Sequence, residues 1–218
     1  MTPMTIFEKL HYLDQDITLW LNMHQPCEAI DSIMIFFSKI PVWFPLYAIT
    51  IFFVFWKNGV VTGLEKKKHF TNAWASLIYV LLGMGLTLLL CDQTANLFKN
   101  GIERLRPCHD SYMLSNGLRI LEGTGGFYGF FSGHASNAFG WATVTSLIFR
   151  KKWYSIAIYV WAALLAISRI YVGKHYLGDI LVGTLFGLFF GWLAYRICTL
   201  AINFVKKRII EKRQPADE

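Results

Sequence analysis

The sequence predicts an all-α, polytopic membrane helical bundle of about five to six transmembrane helices, and three observations carry that expectation. Of its 218 residues, 55% are hydrophobic, 17% aromatic and only 16% charged. Several apolar runs have roughly the length that crosses a ~30 Å hydrocarbon layer. The basic residues collect at the ends of those runs. A soluble domain of this size buries a core without such runs, and a single domain accounts for residues 1–218. The net charge of +7 forms no stripe suited to nucleic acid, so topology explains it better.

Taken in chain order, residues 5–31 are amphipathic. Phe7, Leu10, Leu13, Ile17 and Trp20 recur at helical spacing among Glu8, Asp14 and Asp16, so 1–31 reads as an interfacial N-terminal segment. Its start lacks a basic region followed by an unbroken apolar core, so no cleavable signal peptide is expected. A first span covers Val42 to Trp56, entered by the stretch Ile30 to Ile40, with Pro41 and Pro45 breaking or bending the helix between. Whether residues 5–40 add a sixth span stays open.

A second span runs from Phe70 to Cys91 and continues as helix to near Lys99, since nothing between Asp92 and Phe98 stops it. Spans three, four and five cover His134 to Phe149, Trp153 to Ile170 and Gly178 to about Ile202. On the last, Gly183, Gly187 and Gly191 recur every four residues, which favours close helix packing. Asp92 is expected to make a helix-packing hydrogen bond. Cys91 and Cys198 fall within spans; Cys27 and Cys108 share the outer side, with unpaired thiols the default.

Orientation follows from the cations. One side receives Lys57, Lys66, Lys67, Lys68, Arg150, Lys151, Lys152 and the tail 203–218 with Lys206, Lys207, Arg208, Lys212 and Arg213. That side is expected to be cytoplasmic, the C-terminus included. The loops from Lys99 to Gly133 and from Arg169 to Gly178 then share the opposite face, and with them come three polar clusters. Membrane chains keep such residues mainly where function demands them.

Each cluster has a distinct chemistry. Lys99 and Arg106 sit across a helix end and converge on one anion if the chain turns, and Pro107 favours an extended or turned Arg106. Guanidinium offers phosphate a bidentate fork and ammonium a compact charge; the plainer reading is two cations snorkelling to headgroups. Ser132-Gly133-His134 opens a helix, whose free N–H groups and partial positive charge suit an anion, although a Ser cap followed by a packed histidine has the same sequence. Gly133 lets a ligand approach the backbone. His175 and Asp179, four residues apart at a helix start, share a face. A carboxylate on one ring nitrogen holds the tautomer and leaves the other lone pair exposed, as a nucleophile requires. A structural His–Asp pair is the alternative. Arg169 lies six residues before His175, where it can neutralise the oxygens of a phosphate under attack.

Together, K-x6-R-P, S-G-H and S-R-x5-H-x3-D over residues 99–179 resemble the three-part signature of the type 2 phosphatidic acid phosphatase (PAP2) superfamily. The resemblance implies a membrane bundle, usually of six spans, and a metal-independent phosphoric ester or anhydride hydrolase without a cofactor. It implies His175 as the nucleophile forming a phosphohistidine, Asp179 orienting it, and His134 as the proton donor that later activates water. Lys99, Arg106, Arg169, Ser132 and the Gly133 N–H would hold the phosphate oxygens. The superfamily's second motif usually reads P-S-G-H, whereas Phe131 precedes Ser132 here. That change removes a fixed backbone angle but no phosphate ligand or proton donor. His109 and Cys108 are neighbours without partners at metal-ligand spacing.

The segment Cys108 to Phe131 mixes glycines with aromatics, and either covers a headgroup, lines a lipid groove or sits as an interfacial loop. Two function classes follow. One is a membrane lipid phosphatase acting at the outer leaflet of a cytoplasmic membrane. The other is a non-catalytic membrane transporter or lipid-binding protein with a phosphate site. An oriented imidazole opposite a second one favours the phosphatase, because binding alone needs only cations. A related vanadate-dependent haloperoxidase has a soluble body that does not match this hydropathy. Undecaprenyl diphosphate, lipid A phosphate, phosphatidylglycerol phosphate and phosphatidic acid all fit the motif. The short chain without a large outer domain points to a bacterial enzyme and puts the first two ahead. The sequence leaves open the oligomeric state and the preference for a monophosphate or a diphosphate.

Overall fold

The computed structural model describes residues 4–24, 26–39, 43–59 and 73–211. Among them it holds helices α1 (Ile6–Met23), α2 (Glu28–Ser38), α3 (Trp43–Gly59), α4 (Ala73–Ile102), α5 (Ser111–Ser115), α6 (Gly133–Phe149), α7 (Lys152–Tyr171) and α8 (Leu177–Glu211). The described residues contain no strand beyond a single bridge between Leu105 and Tyr128. The protein is an all-α membrane bundle, as the apolar runs predict.

α4 and α8 contain 30 and 35 residues without an internal proline. At 1.5 Å per residue they extend about 45 and about 52 Å, longer than the hydrocarbon layer, so each carries polar residues beyond it. Segments of α4, α7 and α8 are each long and apolar enough to cross alone, and α2 with the start of α3, bent by 59°, has the combined length and composition of a fourth, as a broken span or a re-entrant loop. Of the five expected spans, the second, fourth and fifth fall on α4, α7 and α8 and the first on α3 with α2, while the third falls on α6, whose 17 residues are not among the segments long and apolar enough to cross. Ile40, Pro41 and Val42 at the bend, Phe70 at the second span's start, and the cations Lys66, Lys67, Lys68, Lys212 and Arg213 lie outside the described residues.

α6 is the axis of the bundle. Eleven of its 17 residues are buried, small and polar ones among them, as expected of a helix surrounded by neighbours. Trp141 packs against Tyr47 with ring centroids 4.4 Å apart, and Trp43 meets Trp161 at 5.2 Å. The glycine stripe of α8 lies against α6. A Cβ on Gly183, Gly187 or Gly191 would stand 2.6, 2.4 or 2.5 Å from the carbonyl oxygen of Ser132, Ser136 or Gly140, so only glycine allows this approach. Asp92 accepts a hydrogen bond from Asn137 Nδ2 at 2.8 Å, joining α4 to α6. Outward-facing Leu82, Leu89, Ile156, Val160, Leu185 and Phe204 cover the bundle's flank.

α1 begins with a reciprocal cap between Thr5 and Glu8. It ends at Met23, so Glu28 to Asp31 belong to the bent span and not to the N-terminal segment. Its orientation is the reverse of a soluble surface helix. Gln15, Thr18 and Asn22 are buried, while Phe7, Leu10, Leu13 and Trp20 face outward. The polar stripe has partners that explain this: Thr18 Oγ1 accepts from Leu177 N at 3.0 Å, and Asn22 Nδ2 donates to the Tyr171 carbonyl at 2.7 Å.

Candidate active site

His175 is presented by a short hook between α7 and α8. Gly173 takes φ +81°, a conformation open to glycine, and the N–H groups of Lys174 and His175 both return to the Arg169 carbonyl at 3.0 and 3.3 Å. The ring is buried, with 2% of the residue exposed. Its Nδ1 lies 3.3 Å from Asp179 Oδ2 and its Nε2 lies 3.5 Å from Arg106 Nη1. With the Nδ1 proton on the Asp179 side, the Nε2 lone pair points at the guanidinium. Burial holds the imidazole well below its ordinary pKa, and Arg106, Arg169, Lys99 and Lys174 add to the effect.

Asp179 is the third residue of α8, and its Oδ2 reaches back to accept the Tyr176 N–H at 3.1 Å. This is half of a capping box, so the helix start fixes the carboxylate before any long-range contact is made. The next two N–H groups of the helix are taken by α1: Leu177 N by Thr18 and Gly178 N by Asp14 Oδ1 at 2.8 Å. The other oxygen of Asp179 accepts from Arg104 Nη1 at 2.9 Å. Gly129 passes so close that a Cβ there would lie 3.0 Å from Arg106 Cγ, 3.4 Å from Asp179 Oδ2 and 3.5 Å from His175 Nδ1.

The other motifs arrive from separate elements. Lys99 sits in the last turn of α4, and a Cβ on Gly133 would be 3.7 Å from its Nζ. Ser132 caps α6, its Oγ accepting from Ala135 N at 3.4 Å, while its own N–H donates to the Asp179 carbonyl at 3.1 Å. His134 follows on the first turn, within electrostatic reach of Arg169, His175, Arg106 and Lys99. Arg169 Nη1 donates to the carbonyl of Ser38 at 2.9 Å, to the Ser38 hydroxyl, and toward Glu122 Oε2 at 3.4 Å. Among the described residues, Nε of both Arg106 and Arg169 is buried without a hydrogen-bond partner. A cavity of about 740 Å³ opens here, lined by Ile35, Ser38, Lys39, Leu121, Glu122, Gly123, His134 and Arg169. Phe131 lies beneath the site, buried and stacked on Phe186 at 4.7 Å, so the residue in the place of the usual proline serves packing.

The PAP2 superfamily profile matches residues 74–202, more than half of the chain. The chain belongs to the PAP2 superfamily. A lipid A 4'-phosphatase from Bacteroides thetaiotaomicron is 34% identical over 195 residues, covering 88% of this chain and 80% of that protein. A second, from Porphyromonas gingivalis, is 31% identical over 186 residues, covering 85% of this chain and 72% of that protein. In structure, the PAP2-type phosphatidylglycerolphosphate phosphatase of Bacillus subtilis superposes with a TM-score of 0.62 at 21% identity, covering 95% of this chain and 89% of that one. The protein is thus an integral membrane hydrolase of the PAP2 lipid phosphatase type, acting on phosphoester bonds. The transporter alternative falls away.

Within this PAP2 chain the three motifs meet at one end of the bundle, and the structure adds residues that sequence reasoning missed. Arg104 lies between the two motif cations and turns toward Asp179 and Asp14 instead of the cavity. Glu122 and Ser38 hold Arg169, and the buried Lys174 approaches Gly125, where a Cβ would lie 3.4 Å from its Nζ. A third cation inside the first motif was the available signal for Arg104. Ser38 gave none, being an ordinary residue of an apolar span. The described residues hold no cluster of three metal-ligating side chains, and Cys27, Cys91, Cys108 and Cys198 are free. Cys108 Sγ donates to the Thr124 carbonyl at 3.4 Å instead of meeting Cys27, tying the 108–131 segment together.

Proposed function

We propose that this chain hydrolyses a phosphate monoester of lipid A through a phosphohistidine on His175, at the outer face of a bacterial cytoplasmic membrane. The observation that carries the chemistry is the geometry of His175, with Nδ1 on Asp179 and Nε2 facing Arg106. The two relatives named above as lipid A 4'-phosphatases supply the substrate class.

In the first step Nε2 attacks phosphorus as the bond to the lipid oxygen breaks, and His134 gives that oxygen a proton. In the second, water attacks the phosphohistidine, His134 takes a proton from it, and inorganic phosphate leaves. Lys99, Arg106 and Arg169, with Ser132 and the Gly133 N–H at the start of α6, stabilise the charge on the phosphoryl oxygens. The unpartnered Nε donors of the two arginines fit that task, since a buried donor without an acceptor is costly. No metal or cofactor is required, because the fixed cations take the role of a Lewis acid.

The test is phosphate release, with chelator present, from lipid A, undecaprenyl diphosphate, phosphatidylglycerol phosphate and phosphatidic acid in detergent micelles. Wild type is expected to release phosphate from lipid A fastest, and His175→Ala to lose at least about a hundredfold. Preference for another lipid overturns the substrate, and undiminished release by His175→Ala overturns the mechanism.

A further inference from the structure

We infer that Arg104 is a positioning residue for the reaction, and that Asp14 of the N-terminal helix completes the site by holding it. The inference rests on His175 acting as the nucleophile.

Arg104 leaves the 99–107 segment immediately before the bridge to Tyr128, and its carbonyl accepts from Gly129 N at 2.9 Å. Its guanidinium then turns away from the phosphate cavity. One terminal nitrogen donates to Asp179 Oδ1 at 2.9 Å, the other to Asp14 Oδ2 at 2.7 Å, and the plane lies 4.0 Å over the Tyr176 ring. With His11 Nδ1 3.5 Å from the same nitrogen that meets Asp14, four groups surround one side chain, and Tyr176 is itself fixed: its hydroxyl donates to Asp110 at 2.6 Å, where Gln15 also donates at 2.9 Å.

The physical need comes from Asp179. It is wholly buried, and a carboxylate taken out of water without a counter-charge tends to neutralise itself by taking a proton. A protonated Asp179 no longer holds the Nδ1–H tautomer that leaves Nε2 free. The His175 contact is a single 3.3 Å interaction and the Tyr176 N–H is a neutral donor, so Arg104 is the cation that directly touches the carboxylate. Lys99, Arg106 and Arg169 are the cations assigned to the phosphate oxygens, so their charge is offset when substrate arrives. Asp14 ties the arrangement to α1 twice, through Arg104 and through the Gly178 N–H of the helix that bears Asp179.

The experiment compares Arg104→Gln, Arg104→Lys and Asp14→Asn with wild type, using lipid A and undecaprenyl diphosphate as separate substrates. Arg104→Gln is expected to lower kcat by roughly 10- to 100-fold, the usual effect of losing a group that orients a reactive side chain, with KM within about twofold. Arg104→Lys keeps the charge and recovers most of the loss. Asp14→Asn lowers kcat less, again without moving KM. In 15N-histidine spectra the His175 signal shifts from the Nδ1–H tautomer toward Nε2–H in Arg104→Gln, a change that loosened packing would not select. Wild-type kcat in both Asp14→Asn and Arg104→Gln, a raised KM at unchanged kcat, or an unaltered tautomer in Arg104→Gln overturns the inference. If Arg104→Gln does not fold, Asp14→Asn carries the test. Failure of the nucleophile assignment is separate, because it appears as full activity in His175→Ala.

Discussion

The charge state of His175 decides when the site can act. Burial, then Arg106, Arg169, Lys99 and Lys174, disfavour the protonated ring, so its pKa lies well below the usual value of about 6.5. As pH falls through that value the ring itself stays neutral and keeps its lone pair. The histidine NMR resonance absent from His175→Ala is therefore expected to titrate well below pH ~6.5 in the free enzyme; a midpoint at or above that value refutes the assignment. Gly129 provides a second check. An added methyl meets Arg106 Cγ at 3.0 Å and the His–Asp pair within 3.5 Å, so Gly129→Ala should cut kcat by ~10-fold or more while leaving the melting temperature nearly unchanged. His175 and Asp179 were legible in the sequence because a four-residue spacing across the start of α8 keeps their contact local, although His175 itself lies in the hook before the helix. Arg104 was not, since its partners Asp179 and Asp14 lie 75 and 90 residues away and only tertiary packing brings them together.

The same division separates the helices. The long spans were readable because apolar length is a property of the segment itself. The glycine stripe of α8 was readable as a packing surface, and its partner proves to be α6. Replacing Gly187 by valine drives a side chain into the Ser136 carbonyl, 2.4 Å from the ideal Cβ, and forces the two helices apart. A loss of ~1–3 kcal/mol is expected, read as a lower melting temperature in detergent; an unchanged value would mean the helices do not pack as described. α1 was readable as amphipathic, yet its facing was not. Periodicity reports two unlike faces without saying which one meets protein, and here Gln15, Thr18 and Asn22 turn inward because the starts of α5 and α8 and the end of α7 offer them donors and acceptors. Pro45 stands in the first turn of α3, just past the bend between α2 and α3.

The assembled bundle places a sharp asymmetry across the membrane. At the site end, Arg104 is paired with Asp14 and Asp179, Arg119 with Asp31, and Arg169 with Glu122 and Ser38, so these cations belong to the fold and its chemistry. At the other end, Arg150, Lys151 and Lys152 follow the buried α6, and Lys207 and Arg208 close α8 as exposed charges. Lysine and arginine near span ends set orientation, and acidic residues count little, so the second group is expected to direct the C-terminus to the cytoplasm and the site outward. The free thiol of Cys27 lies exposed at the start of α2, on the site end, while Cys91 and Cys108 are buried. A membrane-impermeant maleimide added to intact spheroplasts is therefore expected to label Cys27, whereas Lys151→Cys in a Cys27→Ser background becomes reactive only after lysis. The opposite pattern would put the pocket in the cytoplasm. It would also remove the reason to expect an outer-leaflet lipid as substrate, because a site fixed at one end of a rigid bundle meets only the leaflet that end touches.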